Sequence, residues 1–349
     1  MDARRAGPGV TTTAGAGEPR LRTRRDRLAV IGTRLGPFAR PHRRRLVTAL
    51  AASVFVTMAQ LAMPWPLSWI VDLASPGRVS RSAPPAWLPT GGIPAWWPTL
   101  ALVLIGVVLG GSEFLQRVAV AKYVVRSVND GRVGILTSSL RTDSTKRKRD
   151  PGDVVTRVVG DTARLRVGMK GALVHILQHG LFLVGVSVVL LALDVWLGLA
   201  YLAGLTVALG LAVVGADRTA TLSRRQRGRE SRVVDVAMRA ATAPGEEVVA
   251  KPVDRERSVA IISQVKGRTA VAVQGVLALT ACLVLTLAVR FAGEGRLGTG
   301  DVALVSSYLL MLHYPMMRMG RQITRLGPQL TSAERLARLA PARPQGDAP

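Results

Sequence analysis

Cysteine is almost missing from this chain: one residue, Cys282, in 349. A single thiol excludes an internal disulfide framework. Cys282 sits in the apolar run VLALTACLVLTLAV and reads as a small packing residue. Aromatic residues amount to only 4%, which argues against a cage of stacked aromatics as a ligand site. Acidic residues are scarce too, 22 against 47 Lys and Arg, leaving a formal charge of +25. No apolar h-region opens the chain, so MDARRAGPGVTTTAGAGEPRLRTRRDR is not read as a secretory signal. Its Gly, Pro, Thr and Arg content predicts a disordered basic arm over residues 1–30.

Apolar sequence, by contrast, is abundant: 48% hydrophobic, with a mean hydropathy of +0.27. Such apolarity conflicts with +25 in a soluble protein, but a multi-pass membrane protein carries both. A helix needs about 20 mostly apolar residues to cross the ~30 Å hydrocarbon layer. Six stretches qualify, at residues 46–73, 99–120, 172–193, 195–216, 271–291 and 301–319. Pro64 and Pro66 are expected to kink the first.

The basic residues give an orientation. Residues 122–170 hold twelve Lys and Arg, residues 218–268 another twelve, and the segment before 46 is Arg-rich. The alternate connections hold only Arg78, Arg81, Arg290 and Arg296. That asymmetry predicts both termini in the cytoplasm. Trp87, Trp96 and Trp97 then fall at the outer membrane–water boundary. The runs KRKR (146–149) and RRQRGRE (224–230) read as anchors touching anionic lipid, and not as nucleic-acid patches.

The two inner segments, 121–171 and 217–270, are long but not rich in Gly or Ser. Their apolar residues recur at helical spacing, and PG at 151–152 and APG at 243–245 break each near its middle. They predict two helical hairpins that continue the spans and turn over at short transverse pieces. About 20 residues per arm would reach ~30 Å beyond the bilayer.

This order of elements, with three local strings, resembles the transmembrane domain of six-helix, type I ABC exporters. The strings are PLSWIVDLA (66–74), GDVVTRVVGDTARLR (152–166) and the stretch from LGTGDVALVSSYLL through Pro315 to Ser332, Ala333 and Arg335. The resemblance covers about 46–340. It implies an all-α polytopic membrane protein with long cytoplasmic helical extensions, its domain spanning 31–340 and a Pro-rich tail at 341–349. It also implies that the hairpin tips are coupling helices that dock on ATPase domains. The first falls at 134–142, with Gly134, Ile135, Leu136 and Thr142. The second falls at 237–247, with Ala237, Met238, Ala241, Gly245 and Glu246. Two departures stand out: DSTKRKRD replaces the family's aromatic pair, and AKPVD follows Val248–Val249 where the family favours Lys-Ala-Phe.

In most members a nucleotide-binding domain follows the sixth helix. A phosphate-binding loop needs G-x-x-x-x-G-K-[ST]. The nearest string, GEGRLGT at 293–299, lacks the lysine, and there is no LSGGQ-like signature. The chain therefore reads as no enzyme by itself: no catalytic, cofactor or metal residues, with ATP and Mg expected on a separate nucleotide-binding subunit.

Several polar residues inside the spans are candidates for a translocation path. His175, Gln178 and His179 share one helix face at i, i+3 and i+4. A zinc motif of the HExxH kind would need Glu where Ile176 stands, so cross-helix hydrogen bonding or lining a wet path is the favoured reading. Glu113 and Gln116 are costly in lipid and should face protein or water. Tyr308 and His313 complete the set.

The expected function is a permease subunit of an ATP-driven exporter in the bacterial plasma membrane, working by alternating access as a homodimer or heterodimer. Two rivals are a non-transporting scaffold or regulator of the same fold, and an ion-coupled transporter relaying protons through Glu113 or His179.

Overall fold

Apolar length dictates the architecture. The computed structural model describes residues 24–75, 80–82, 96–146, 151–242 and 253–340; among these every regular element is helical and none is a strand. Among the described residues, five helical stretches are long and apolar enough to cross a membrane: Ala29–Ala74, Trp97–Ser138, Val155–Leu193, Val195–Ser223 and Ala260–Gly293. They contain the first five expected spans. The basic arm at 1–23 and the tail at 341–349 lie outside the described residues.

Helix α1 (Arg24–Ala39) leads through a 3-10 turn (Arg40–His42) into α2 (Arg43–Ala62). His42 and Asp130 meet at 2.6 Å, tying this turn to α4 (Trp97–Lys146). After Met63 comes α3 (Pro64–Ala74). Pro64 starts it because the first helical position has no N–H obligation. Pro64 and Pro66 cannot donate to the carbonyls of Gln60 and Ala62, which loosens the chain where the kink was expected.

The third expected span is built in three pieces: α5 (Pro151–Gly171), a π-helical turn (Ala172–Leu177) and α6 (Gln178–Leu193). Asp194 ends α6 in extended conformation and its Oδ1 accepts the Trp196 amide at 2.9 Å, starting α7 (Val195–Thr242). The bundle is completed by α8 (Val253–Gly293), α9 (Thr299–Met311) and α10 (His313–Leu339).

The sixth expected span, 301–319, is not one of the five long apolar helices. It is divided at Leu312, whose amide bonds the Leu309 carbonyl at 3.3 Å in a tightened turn. Pro315 removes the donor that would have continued the ladder to Met311. This split element is sheltered by protein: Asp301, Leu304, Val305 and Tyr308 are fully buried. Shelter matters because a broken ladder in lipid would leave polar backbone unsatisfied.

Three apolar clusters hold the bundle. The largest joins Phe182, Val186 and Leu190 of α6 to Leu197 and Tyr201 of α7, Val284 and Ala288 of α8, and Leu304 and Val305 of α9. A second joins Ala49 to Val120, Tyr123, Val124 and Val128; the third joins Ile135 and Val158 to Leu336. Helices α7 and α8 pack closely because Gly204 has no side chain; a Cβ there would collide with Thr280. The apolar windows of α4 and α8 are only 11% buried, against 44% for Val155–Leu193, so the first two turn their apolar sides outward.

Helix lengths support the expected extensions. At 1.5 Å per residue, α4 with 50 residues and α7 with 48 run to more than 70 Å, about twice the hydrocarbon thickness. The transverse tips differ from expectation. Gly134–Thr142 belongs to α4 without a break, and Ala237, Met238 and Ala241 belong to the unbroken end of α7. Gly245 and Glu246 lie outside the described residues.

Candidate translocation path

The central polar side chains converge from neighbouring helices. Gln116 of α4 is 2% exposed, and its Nε2 donates to both Ser53 Oγ of α2 and Gln178 Oε1 of α6, each at 2.9 Å. Ser53 Oγ donates onward to the Ala49 carbonyl at 2.8 Å. Gln178 Nε2 reaches Gln60 Oε1 at 3.5 Å. In lipid these amides would be costly singly; linked, they satisfy one another and hold α2, α4 and α6 in register.

Close by on the same face, His175 and His179 stack with ring centroids 5.8 Å apart. The His179 ring meets the edge of Tyr314 from α10 at 5.9 Å, and the Arg318 guanidinium lies over the Tyr314 ring at 4.9 Å. The π-helical turn sets this geometry. Its wider winding inserts a residue into the helix and rotates the turns beyond it, a distortion frequent at functional positions. Gly171, just before it, lets Gln322 of α10 lie against the backbone, since a Cβ would overlap the Gln322 amide.

Tyr308 is fully buried; its hydroxyl donates to the Leu61 carbonyl and accepts the Trp65 indole N–H at 3.1 Å. It is a fastener between α9 and the proline-loosened α2–α3 junction. Of the remaining candidates, Glu113 pairs with Arg117 at 2.9 Å and makes no bond to the Gln116 network among the described residues, and His313 is exposed. The structure thus brings Gln116, Gln178, His175 and His179 together and leaves Glu113 and His313 apart.

At the opposite end from the hairpins, carboxylates gather the connections. Asp301 Oδ1 accepts the Ser82 amide at 2.7 Å; its Oδ2 accepts the amides of Gly298 at 2.8 Å and Arg81 at 3.0 Å. Asp72 Oδ1 accepts Ser80 Oγ at 2.6 Å and the Gly300 amide at 2.8 Å. Arg296 donates to Asp194 Oδ2, and Arg81 to the Leu193 carbonyl, both at 2.5 Å. The string 293–299 therefore forms a turn, with Gly295 at φ +76°, and the amides of Gly298 and Gly300 are already engaged by side-chain carboxylates.

The first expected coupling region is partly turned inward. Ile135 is buried with Val158 and Leu336, Leu136 packs against the same cluster, and a Cβ on Gly134 would meet the Phe38 ring. Gly134 and Ile135 pack between α4, α1 and α10 in this chain. Inward packing of Ile135 follows from α4 continuing as a helix, since its side chain then shares a face with Val128, seven residues back.

Residues 46–243 match the family described as ABC transporter transmembrane region. The chain belongs to that family, and its helical bundle is a permease-type membrane domain of an ABC transporter. A comparison with curated proteins found no match.

Sequence reasoning missed Ser53, Gln60, Trp65, Tyr314 and Arg318. Arg318 carried a signal: a cation within an expected span is a functional hypothesis by default.

Proposed function

We propose that this chain is the permease subunit of an ATP-driven exporter, paired with a second transmembrane subunit and powered by a separate nucleotide-binding chain that carries ATP and Mg. The observation that carries this reading is the family match over 46–243 together with helices twice as long as a bilayer is thick. Spans alone would need no such extensions. By the order of elements, the α4–α5 and α7–α8 connections lie at one end of the bundle. Lever arms there can transmit the closing of two ATPase domains to the spans, and the polar seam of Gln116, Gln178, His175 and His179 would line the path that alternately opens. The docking contacts fall near the α4–α5 and α7–α8 connections, with Gly134, Ile135, Leu136, Thr142, Ala237, Met238, Ala241, Gly245 and Glu246 as the neighbouring residues. The basic hairpins face the cytoplasm and touch anionic lipid, and the membrane is the bacterial plasma membrane.

Affinity purification of the tagged chain from its native membrane tests this. The expected result is a stoichiometric nucleotide-binding partner whose vanadate-sensitive ATPase activity drives uptake of substrate into inverted vesicles. Persistent recovery of the chain without such a partner would instead indicate a scaffold or regulator.

A further inference from the structure

The seam between α6 and α10 contains three side chains, Arg318, Gln322 and His179, with polar atoms that the bundle itself does not bond. Arg318 and Gln322 stand at i and i+4 on α10, and His175 and His179 stand at i and i+4 across from them. Arg318 Nε and Gln322 Nε2 are buried and have no hydrogen-bond partner, and the ring nitrogens of His179, a residue 5% exposed, have none either. Among the described residues Arg318 has no ion pair; its guanidinium rests on the face of Tyr314. Arginine cannot give up its proton and can only donate. The guanidinium is half-buried, with its Nε enclosed and no counter-charge beside it among the described residues, so the arrangement suits an acceptor that carries negative charge. Tyr314 is 56% exposed and opens this group to the outside of the chain. Arg318 offers its charge through a planar fork suited to carboxylate, sulfonate or phosphate.

We propose that Arg318, Gln322, His179 and the ring of Tyr314 form a subsite for the acidic group of an organic anion, which makes anionic amphiphiles the substrate class of this permease. The inference rests on the permease reading above and names the chemistry that the path accepts. The aromatic ring flanks the carbon skeleton next to the acidic group, Arg318 supplies the charge, and Gln322 and His179 supply neutral donors. The Gln116–Gln178–Ser53 network is already internally bonded and is not included in the subsite.

The purified full chain in phosphatidylcholine nanodiscs provides the test, read by fluorescence anisotropy with carboxyfluorescein as the anionic probe and a cationic rhodamine ester as its counterpart. Carboxyfluorescein is expected to bind at least about tenfold tighter than the cationic dye. R318Q should lose roughly tenfold of that affinity, while R318K keeps more of it than R318Q. Equal affinity for the two dyes overturns the proposal, as does an R318Q variant that elutes as the same monodisperse peak and binds carboxyfluorescein unchanged. Nanodiscs doped with phosphatidylglycerol separate two sources of the anion. Competition with the dye assigns the site to a lipid headgroup, its absence to a soluble anion, and both support an anionic subsite. The assay contains no ATP and no second chain, so failure to find an ATPase partner leaves its outcome untouched. An ATP-driven pump without anion preference would sink this inference alone.

Discussion

Arg296 reaches across to Asp194, its Nη2 2.5 Å from Oδ2, and so fastens the α8–α9 turn to the α6–α7 corner. Asp194 is 6% exposed and also caps α7 through the Trp196 amide. The carboxylate is fixed by both bonds, while the arginine remains 41% exposed and partly screened. R296A should therefore cost about 1–2 kcal/mol, less than a fully buried pair would. A double-mutant cycle with D194N, read by thermal stability in detergent, should show coupling of about 1 kcal/mol; strict additivity would mean that the pair contributes nothing.

Replacing Tyr308 with Phe removes one oxygen from a fully buried site without opening a large void. It leaves the Trp65 indole N–H without its acceptor and the Leu61 carbonyl without the hydroxyl. The expected loss is about 1–3 kcal/mol, the cost of orphaned buried polar groups. Thermal unfolding of Y308F beside a Y201F control, whose hydroxyl has Ser187 as its one nearby side-chain partner, distinguishes this from the general effect of losing a hydroxyl; the control should lose less.

Close approach of α7 and α8 makes Gly204 intolerant of a side chain. G204A should lower stability by about 1–3 kcal/mol through collision with Thr280, and T280A in the same chain should recover some of it. G180A meets nothing within 4 Å and should be neutral or slightly stabilising. Size-exclusion profiles after a heat step provide the comparison.

Single cysteines placed in a C282S background test the orientation. A cysteine at Ser231, just after the basic run 224–230, should react with a membrane-impermeant maleimide only after permeabilisation. A cysteine at Ser82 should be the reverse in access, though slowed by burial. Labelling of the Ser231 variant from outside intact cells would invert the assigned topology.

The first five spans were legible because hydropathy acts locally: each is a contiguous run, and the bilayer imposes its length on that run. The division at Leu312 was partly legible through Pro315. The fastenings were not. Asp301 meets Ser82 across 219 positions of sequence and Tyr308 meets Leu61 across 247, and neither pair leaves a periodic trace. The His175–Gln178–His179 face was visible from spacing alone, but its partners on α10 were not, and no composition signal announced the π-helical turn that aims it. The resemblance placed a transverse tip at 134–142, where α4 runs on unbroken, and no local pattern announced that Gly134 would lie against the Phe38 ring.

The carboxylates at one end of the bundle have a mechanical corollary. Asp72, Asp194 and Asp301 knot the short connections together, whereas α4 and α7 run on for some 70 Å in the other direction. A body tied at one extremity, with long arms running from it, behaves as tongs. One degree of rotation near the knot moves the far tips by a little over about 1 Å. Motion grows with distance from the knot, so the polar seam between α6 and α10 spreads less than the tips of α4 and α7.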